Sequence, residues 1–77
     1  MAFALADILD AARVLRGRAD ATPLVPSPFL SRVAGHDVLL KLEITQPIGA
    51  FKLRGAMNVV MSLPAGVAGV TCCSTGN

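Results

Sequence analysis

The chain has 77 residues, of which 53% are apolar and 16% charged, and its formal net charge is +2. This length allows at most one small domain. An apolar fraction this high excludes intrinsic disorder and is typical of the interior part of a larger fold. The basic residues are scattered instead of forming a run interleaved with aromatic residues, which argues against a nucleic-acid-binding protein.

Targeting signals are absent from the pattern. The first 15 residues, "MAFALADILDAARVL", have no basic start, and Asp7 and Asp10 interrupt their apolar stretch, which disfavours a secretory signal. Residues 55–77 have no charged side chain, but Asn58, Pro64 and several glycines punctuate them, so we predict helix, turn and strand there and no membrane span. We therefore expect a cytoplasmic protein.

Two helices are predicted in the first half of the chain. Leu5, Ile8, Leu9, Ala12 and Leu15 follow the helical spacing, and Gly17 is a suitable stop. Three arginines near the C-terminal end of this helix would interact favourably with its dipole: Arg13, Arg16 and Arg18.

A short second helix follows the extended, proline-punctuated stretch "TPLVPSPFL". Ser27 is placed to cap its N-terminus and Pro28 to occupy its first position. We predict that this helix spans residues 28–34 and ends at Gly35.

The pattern in the second half of the chain predicts a strand, a helix and another strand, in that order. The apolar run "VLLKLE", residues 38–43, is typical of a strand buried on both faces. A helix over residues 51–63 would end at Pro64, "GVAGVTCC" would form the second strand, and "STGN" a turn. These elements predict an α/β fold with one parallel βαβ unit, in which the loops after both strands lie at the same sheet edge, where ligands bind.

Each of those loops has a plain structural reading. Lys52 opens the second-half helix, where a lysine is usually solvated. Beside Phe51 and after a buried strand, however, apolar surroundings would favour a neutral, nucleophilic amine. The "STGN" turn offers hydroxyls, an amide and backbone N–H groups to an anion, although such clusters are common in ordinary turns.

The adjacent cysteines, Cys72 and Cys73, are predicted to be small buried residues in a reducing compartment. Zinc sites require spaced pairs of ligands, and His36 is the single histidine, so we expect no metal site.

Four landmarks occur in one order between Thr22 and Asn77: "TPL", "LKLE", "QPIGAFKLRGA" and "GVTCCSTGN". This pattern resembles the N-terminal part of fold-type II pyridoxal-phosphate enzymes, the tryptophan-synthase-β-like superfamily, and within it the threonine/serine dehydratases and serine racemase. The resemblance implies an N-terminal piece of a two-domain α/β fold. An N-terminal helix in residues 1–21 would precede the start of the catalytic fold in residues 22–77.

The resemblance also implies pyridoxal 5'-phosphate as cofactor and a role for each matching residue. Lys52 is the lysine that forms the Schiff base with the cofactor aldehyde, and Phe51 packs beside the cofactor. Ser74, Thr75, Gly76 and Asn77 hold the substrate carboxylate; Thr75 also faces the α-carbon as a catalytic group, and Asn77 also contacts the cofactor ring hydroxyl. Three charged residues are implied to form structural ion pairs: Lys41, Glu43 and Arg54.

Two positions depart from the common dehydratase pattern. Ala50 stands where those enzymes often have serine, and Thr75 stands where they often have alanine. With these departures, the motifs look most similar to the dehydratase branch found with ectoine and hydroxyectoine utilisation.

The activity implied is that of an ammonia-lyase converting a β-hydroxy amino acid to a 2-oxo acid and ammonia. We expect a homo-oligomeric parent enzyme with a small amino acid as substrate and neither nucleic acid nor membrane as partner. The family's glycine-rich phosphate cradle is missing, so we expect a truncated N-terminal fragment that is inactive alone. Three alternatives stay open: a racemase of the same fold, a β-replacing synthase, or a non-catalytic module.

Overall fold

The computed structural model describes residues 2–76. Its elements, in chain order, are helix α1 (Leu5–Leu15), strand β1 (Leu24–Pro26), helix α2 (Pro28–Ala34), strand β2 (Leu39–Lys41), a short 3-10 helix (Glu43–Thr45) and helix α3 (Lys52–Met61). Within residues 2–76, none of the helices has the length and apolar character needed to cross a membrane.

The two predicted N-terminal helices are confirmed. In α1, the Asp7 carboxylate accepts a hydrogen bond from the Ala4 backbone N–H at 2.8 Å, and the Arg18 guanidinium donates to the Val14 carbonyl at 3.0 Å. In α2, the Ser27 hydroxyl accepts from the Leu30 N–H at 3.3 Å, and Gly35 ends the helix in a left-handed conformation. In α1, Asp7 in the first turn and Arg13 in the last turn complement the helix dipole, whereas α2 relies on its Ser27 cap and Gly35 stop, so local chemistry accounts for both elements.

The sheet differs from the prediction. Strands β1 and β2 pair antiparallel, with Val25 opposite Leu40, and the ladder is extended by hydrogen bonds from Ser27 N to Val38 O and from Leu42 N to Pro23 O. The predicted strand over residues 38–43 shortens to Leu39–Lys41, which is exposed instead of buried on both faces. The reason is the intervening α2, which reverses the chain and brings the proline-punctuated stretch alongside β2.

The parallel βαβ unit is absent from residues 2–76 because the second predicted strand does not form. Residues 67–74 have no regular secondary structure, and the nearest backbone bond is a turn from Val67 N to Pro64 O at 3.5 Å. A strand needs a neighbour for its N–H and C=O groups, and no described segment lies alongside this one. The prediction that Cys72 and Cys73 are buried is also wrong here, because both thiols are exposed.

Packing is open. The accessible surface is 6361 Å², whereas a folded monomer of this mass exposes about 4,400 Å². The radius of gyration is 16.0 Å, against about 11.5 Å for a compact chain of this length. Helices α1 and α3 contact each other, and three of the described residues are buried: Thr22, Gln46 and Leu53. The ordered centre of the molecule therefore lies where residues 20–22, 43–46 and 53–54 meet.

Candidate functional site

Lys52 is the first residue of α3, and its side chain is exposed. The preceding residue, Phe51, is helical in backbone conformation (φ −67°, ψ −21°) and is 67% exposed. Both residues are therefore exposed and are neighbours in the chain. The apolar surroundings predicted for Lys52 are not formed by the described residues.

The loop that leads into Lys52 is a tight turn. It starts at Gln46, which ends the 3-10 helix, and the Gly49 N–H donates to the Gln46 carbonyl at 2.7 Å. Gly49 has φ +71°, a conformation that side chains with a Cβ rarely adopt, and an added Cβ would lie 3.9 Å from the Ile44 carbonyl oxygen. The strain of a left-handed backbone, not lack of space, is thus what favours glycine here.

Four side chains next to this loop form a group that we call the polar cluster: Thr22, Glu43, Gln46 and Arg54. Glu43 is at its centre. Its carboxylate accepts hydrogen bonds from the Thr22 hydroxyl at 2.6 Å, from the Gln46 amide at 3.1 Å and from Arg54 Nη2 at 3.1 Å. The Nε of Arg54 donates to the other carboxylate oxygen, which makes the ion pair bidentate.

The electrostatics follow from these contacts. The hydrogen bonds from Arg54, and then from Thr22, lower the pKa of Glu43 to about 2 from its ordinary value near 4.5. The same pair raises the pKa of Arg54. Both groups are therefore charged at neutral pH, and the pair is partly shielded, with 15% of the Glu43 side chain and 36% of the Arg54 side chain exposed.

The polar cluster also holds the backbone that follows α1. The Gln46 side-chain amide accepts from the Asp20 N–H at 2.9 Å and donates to the Asp20 carbonyl at 3.0 Å, and Arg54 Nη2 donates to that carbonyl at 3.2 Å. Gln46 is only 3% exposed. The ion pair predicted from Glu43 and Arg54 is confirmed, whereas Lys41 donates to the Thr22 carbonyl at 2.6 Å instead.

The predicted carboxylate-binding turn lies in the exposed C-terminal segment. Ser74, Thr75 and Gly76 are all exposed, and the Ser74 hydroxyl accepts from the Gly76 N–H at 3.1 Å. Asn77 lies outside the described residues. This segment follows the C-terminal end of α3 in the chain.

Two cavities lie elsewhere. One of about 400 Å³ is formed by the end of α3 and the segment after it, including Val60, Leu63 and Val70. The other, of about 290 Å³, lies between α1 and Arg54. No group of three or more potential metal ligands occurs within residues 2–76. Neither cavity is lined by Lys52 or by residues 74–76.

Sequence reasoning assigned no role to Gln46 or to the side chain of Thr22, which are central to the polar cluster. One signal was available for Gln46: it follows Glu43 by three residues, a spacing that places two side chains on the same face of a helical turn. Thr22 gave no comparable signal, because its contact with Glu43 spans 21 residues.

Comparison with known proteins extends over almost the whole chain. The profile of the family described as "Pyridoxal-phosphate dependent enzyme" matches residues 15–77. The chain is 43% identical over 74 residues to a biosynthetic L-threonine dehydratase of Mycobacterium tuberculosis, which covers 94% of this chain and 17% of the relative. It is 40% identical over 75 residues to an L-threonine ammonia-lyase of Thermotoga maritima, with 95% and 19% covered.

A catabolic L-threonine dehydratase of Escherichia coli is 38% identical over 76 residues, with 96% of this chain and 23% of the relative covered. The chain spans about a fifth of the length of these curated relatives. No solved structure matches it.

Proposed function

This chain belongs to the family of pyridoxal-phosphate-dependent enzymes, and on that basis we propose that the protein is a dehydratase-type ammonia-lyase. It eliminates water from a β-hydroxy amino acid, and hydrolysis of the resulting imine takes up water again and releases ammonia, which leaves a 2-oxo acid. The observation that carries the proposal is the 38–43% identity to proteins named threonine dehydratase or threonine ammonia-lyase, over at least 94% of the chain.

Pyridoxal phosphate is the cofactor of this family, and the residues around Lys52 fit its aldehyde end. A primary amine is exposed at the start of α3, and the exposed ring of Phe51 stands next to it in the chain. Lys52 would hold the cofactor through its aldehyde carbon. When bound, the cofactor supplies an electron sink for the electron pair left on the substrate α-carbon.

The chain's own groups then have separate tasks. Lys52 would hold the cofactor until substrate binds, and its free amine would then serve as the base at the substrate α-proton. The hydroxyls of Ser74 and Thr75, together with the backbone N–H groups of their turn, donate to the substrate carboxylate and orient the α-carbon. Loss of the β-hydroxyl and hydrolysis complete the conversion to keto acid and ammonia.

A finer proposal concerns the natural substrate. We propose that the enzyme acts in the breakdown of ectoine or hydroxyectoine, as a homo-oligomer. Two features support this branch over a housekeeping threonine dehydratase: alanine at Ala50 removes a hydroxyl from the loop before Lys52, and Thr75 adds one to the carboxylate turn. Both changes alter the polar groups offered to a substrate.

The test of the reaction class is covalent trapping in the natural full-length protein. Borohydride reduction is expected to fix the cofactor on Lys52, as located by peptide mapping, and Lys52→Ala is expected to abolish both the label and keto-acid formation. Lys41 is the matched control lysine, because it lies on β2 and donates to the Thr22 carbonyl. A label on Lys41 contradicts the proposal.

The test of substrate choice is Thr75→Ala. Removing this hydroxyl is expected to lower turnover on the preferred β-hydroxy amino acid by about tenfold or more, since a hydrogen bond to a charged group contributes about 1.5–3 kcal/mol and about 1.4 kcal/mol corresponds to tenfold in rate. Bound cofactor, measured by its absorbance, is expected to stay at the wild-type level. Unchanged kinetics on threonine, serine and larger β-hydroxy amino acids would reduce Thr75 to a turn-forming residue.

A further inference from the structure

We infer that Glu43 and Arg54 are positioning residues for Lys52: their ion pair ties the 3-10 helix after β2 to the first turn of α3 and so fixes the backbone from which the Lys52 side chain extends. The inference rests on the role proposed above for Lys52. It concerns residues that touch neither substrate nor cofactor, and it gives the polar cluster a function beyond holding the chain together.

The contacts of the polar cluster lie at the two ends of the loop that precedes Lys52. The loop that delivers Lys52 runs from Gln46 to Phe51. Glu43 and Gln46 lie at its beginning, Arg54 lies just after its end, and Glu43 contacts both Gln46 and Arg54. The ion pair therefore closes the loop, and Lys52 is two residues from the closing contact.

The Glu43–Arg54 ion pair closes this loop rigidly. Both nitrogens of the Arg54 contact reach the Glu43 carboxylate, and Nη2 also donates to the Asp20 carbonyl. A bidentate contact restricts orientation as well as distance. Leu53, between Lys52 and Arg54, is 8% exposed, so the same helical turn is anchored by an apolar side chain as well.

A comparison within the chain shows that this is not an ordinary surface pair. Asp10 and Arg13 form an ion pair within one turn of α1, and their side chains are 68% and 67% exposed. That pair joins neighbours in a helix that exists without it, and exposed pairs of this kind contribute little. The Glu43–Arg54 pair spans 11 residues and joins two separate elements.

The consequence for Lys52 is geometric. The Lys52 side chain extends from the first turn of α3, so a shift of its Cα displaces the region that its amine can reach. A misplacement of 1 Å at a reacting group can reduce the rate about 100-fold. Fixing the first turn of α3 therefore confines the amine to the region where an aldehyde must be met.

The experiment uses the natural full-length protein with Glu43→Gln, Arg54→Lys, and Asp10→Asn as the matched control. Glu43→Gln keeps the side-chain shape and removes the charge. Arg54→Lys keeps the charge and removes the two-point contact, which serves if Glu43→Gln does not fold. The two readouts are the rate at which pyridoxal phosphate is fixed on Lys52 by borohydride, and amide hydrogen exchange along α3.

Both cluster variants are expected to slow labelling of Lys52 about tenfold or more. Exchange is expected to accelerate by a similar factor at Arg54, whose N–H donates to the Phe51 carbonyl at 3.1 Å, while amides at Met57–Met61 stay within about twofold of wild type. Asp10→Asn is expected to match wild type in both readouts. This local pattern is what distinguishes positioning from general support of the fold.

Two results overturn the inference. One is unchanged labelling of Lys52 with unchanged exchange at the start of α3; the other is faster exchange along the whole helix to the same degree, which would mean that the pair only stabilises the fold. Failure of the proposed function looks different, because the wild-type protein would then be labelled at a lysine other than Lys52.

Discussion

Residues 20–54 and residues 62–76 differ in burial and in regular structure, although both belong to one short chain. The first region contains the sheet, the polar cluster and all three buried residues, Thr22, Gln46 and Leu53. The second region is exposed throughout its described part and has no regular secondary structure. Yet the second region has no charged side chain, and its Val67 and Val70 are 46% and 61% exposed.

The difference shows what orders a chain of this size. Apolar side chains are ordered only when another surface covers them, and residues 2–76 offer none for the last segment. Polar side chains with directional partners can order a region that buries few apolar side chains, because each hydrogen bond specifies both partners and their orientation. In residues 20–54 the contacts around Glu43 provide that specification.

The largest expected effect concerns the isolated 77-residue chain. We expect no dehydratase activity, no stoichiometric retention of pyridoxal phosphate through dialysis, and association with increasing concentration, because residues 62–76 expose apolar surface and an unpaired backbone. A keto-acid assay, absorbance after dialysis and light scattering measure these. A soluble chain that unfolds cooperatively and retains cofactor one-to-one would remove the contrast between the regions.

Leu53→Ala should break the ordered region. Removing the buried side chain is expected to weaken the packing of α3 by about 2 kcal/mol, seen as loss of amide protection in α3. The matched control in the other region is Val70→Ala, which removes an exposed side chain and should change protection by less than about 0.5 kcal/mol. Equal effects of the two substitutions would contradict the comparison.

Lowering the pH should selectively destabilise residues 20–54. Because the pKa of Glu43 is lowered to about 2 by Arg54 and Thr22, its contribution is fully present above its ordinary pKa near 4.5 and is lost as the pH falls through about 2. NMR titration of the Glu43 carboxyl should give a midpoint near 2, with amide protection at Gln46 falling in the same window. In Glu43→Gln this pH dependence should disappear.

Sequence reasoning succeeded where structure depends on neighbours along the chain. The capping of α2 by Ser27, its stop at Gly35 and the start of α3 near Lys52 follow from rules that act over a few residues. The Glu43–Arg54 pair was also reachable, since both are charged residues close to a predicted strand end and helix start.

The failures have one cause. Strand pairing is a contact between distant segments, and an apolar run such as residues 66–73 does not say which neighbour completes its hydrogen bonds. The parallel arrangement, the buried cysteines and the shared sheet edge for Lys52 and the "STGN" turn all depended on that one pairing. The antiparallel partner of β2 was missed because the prolines around β1 marked it as an extended loop.

The contacts of Gln46, Arg54 and Lys41 with backbone atoms of Asp20 and Thr22 have a consequence for genetic variation. Position 20 is recognised by its peptide groups, so it should tolerate nearly any residue that has an N–H. Position 46 should tolerate almost none, since glutamate has no donor and asparagine is one methylene shorter. Asp20 and Gln46 are joined by the same pair of hydrogen bonds, yet they should differ sharply in the substitutions they tolerate. A substitution scan would find position 46 sensitive, because that residue contributes its side chain, and position 20 tolerant, because that residue contributes only backbone atoms.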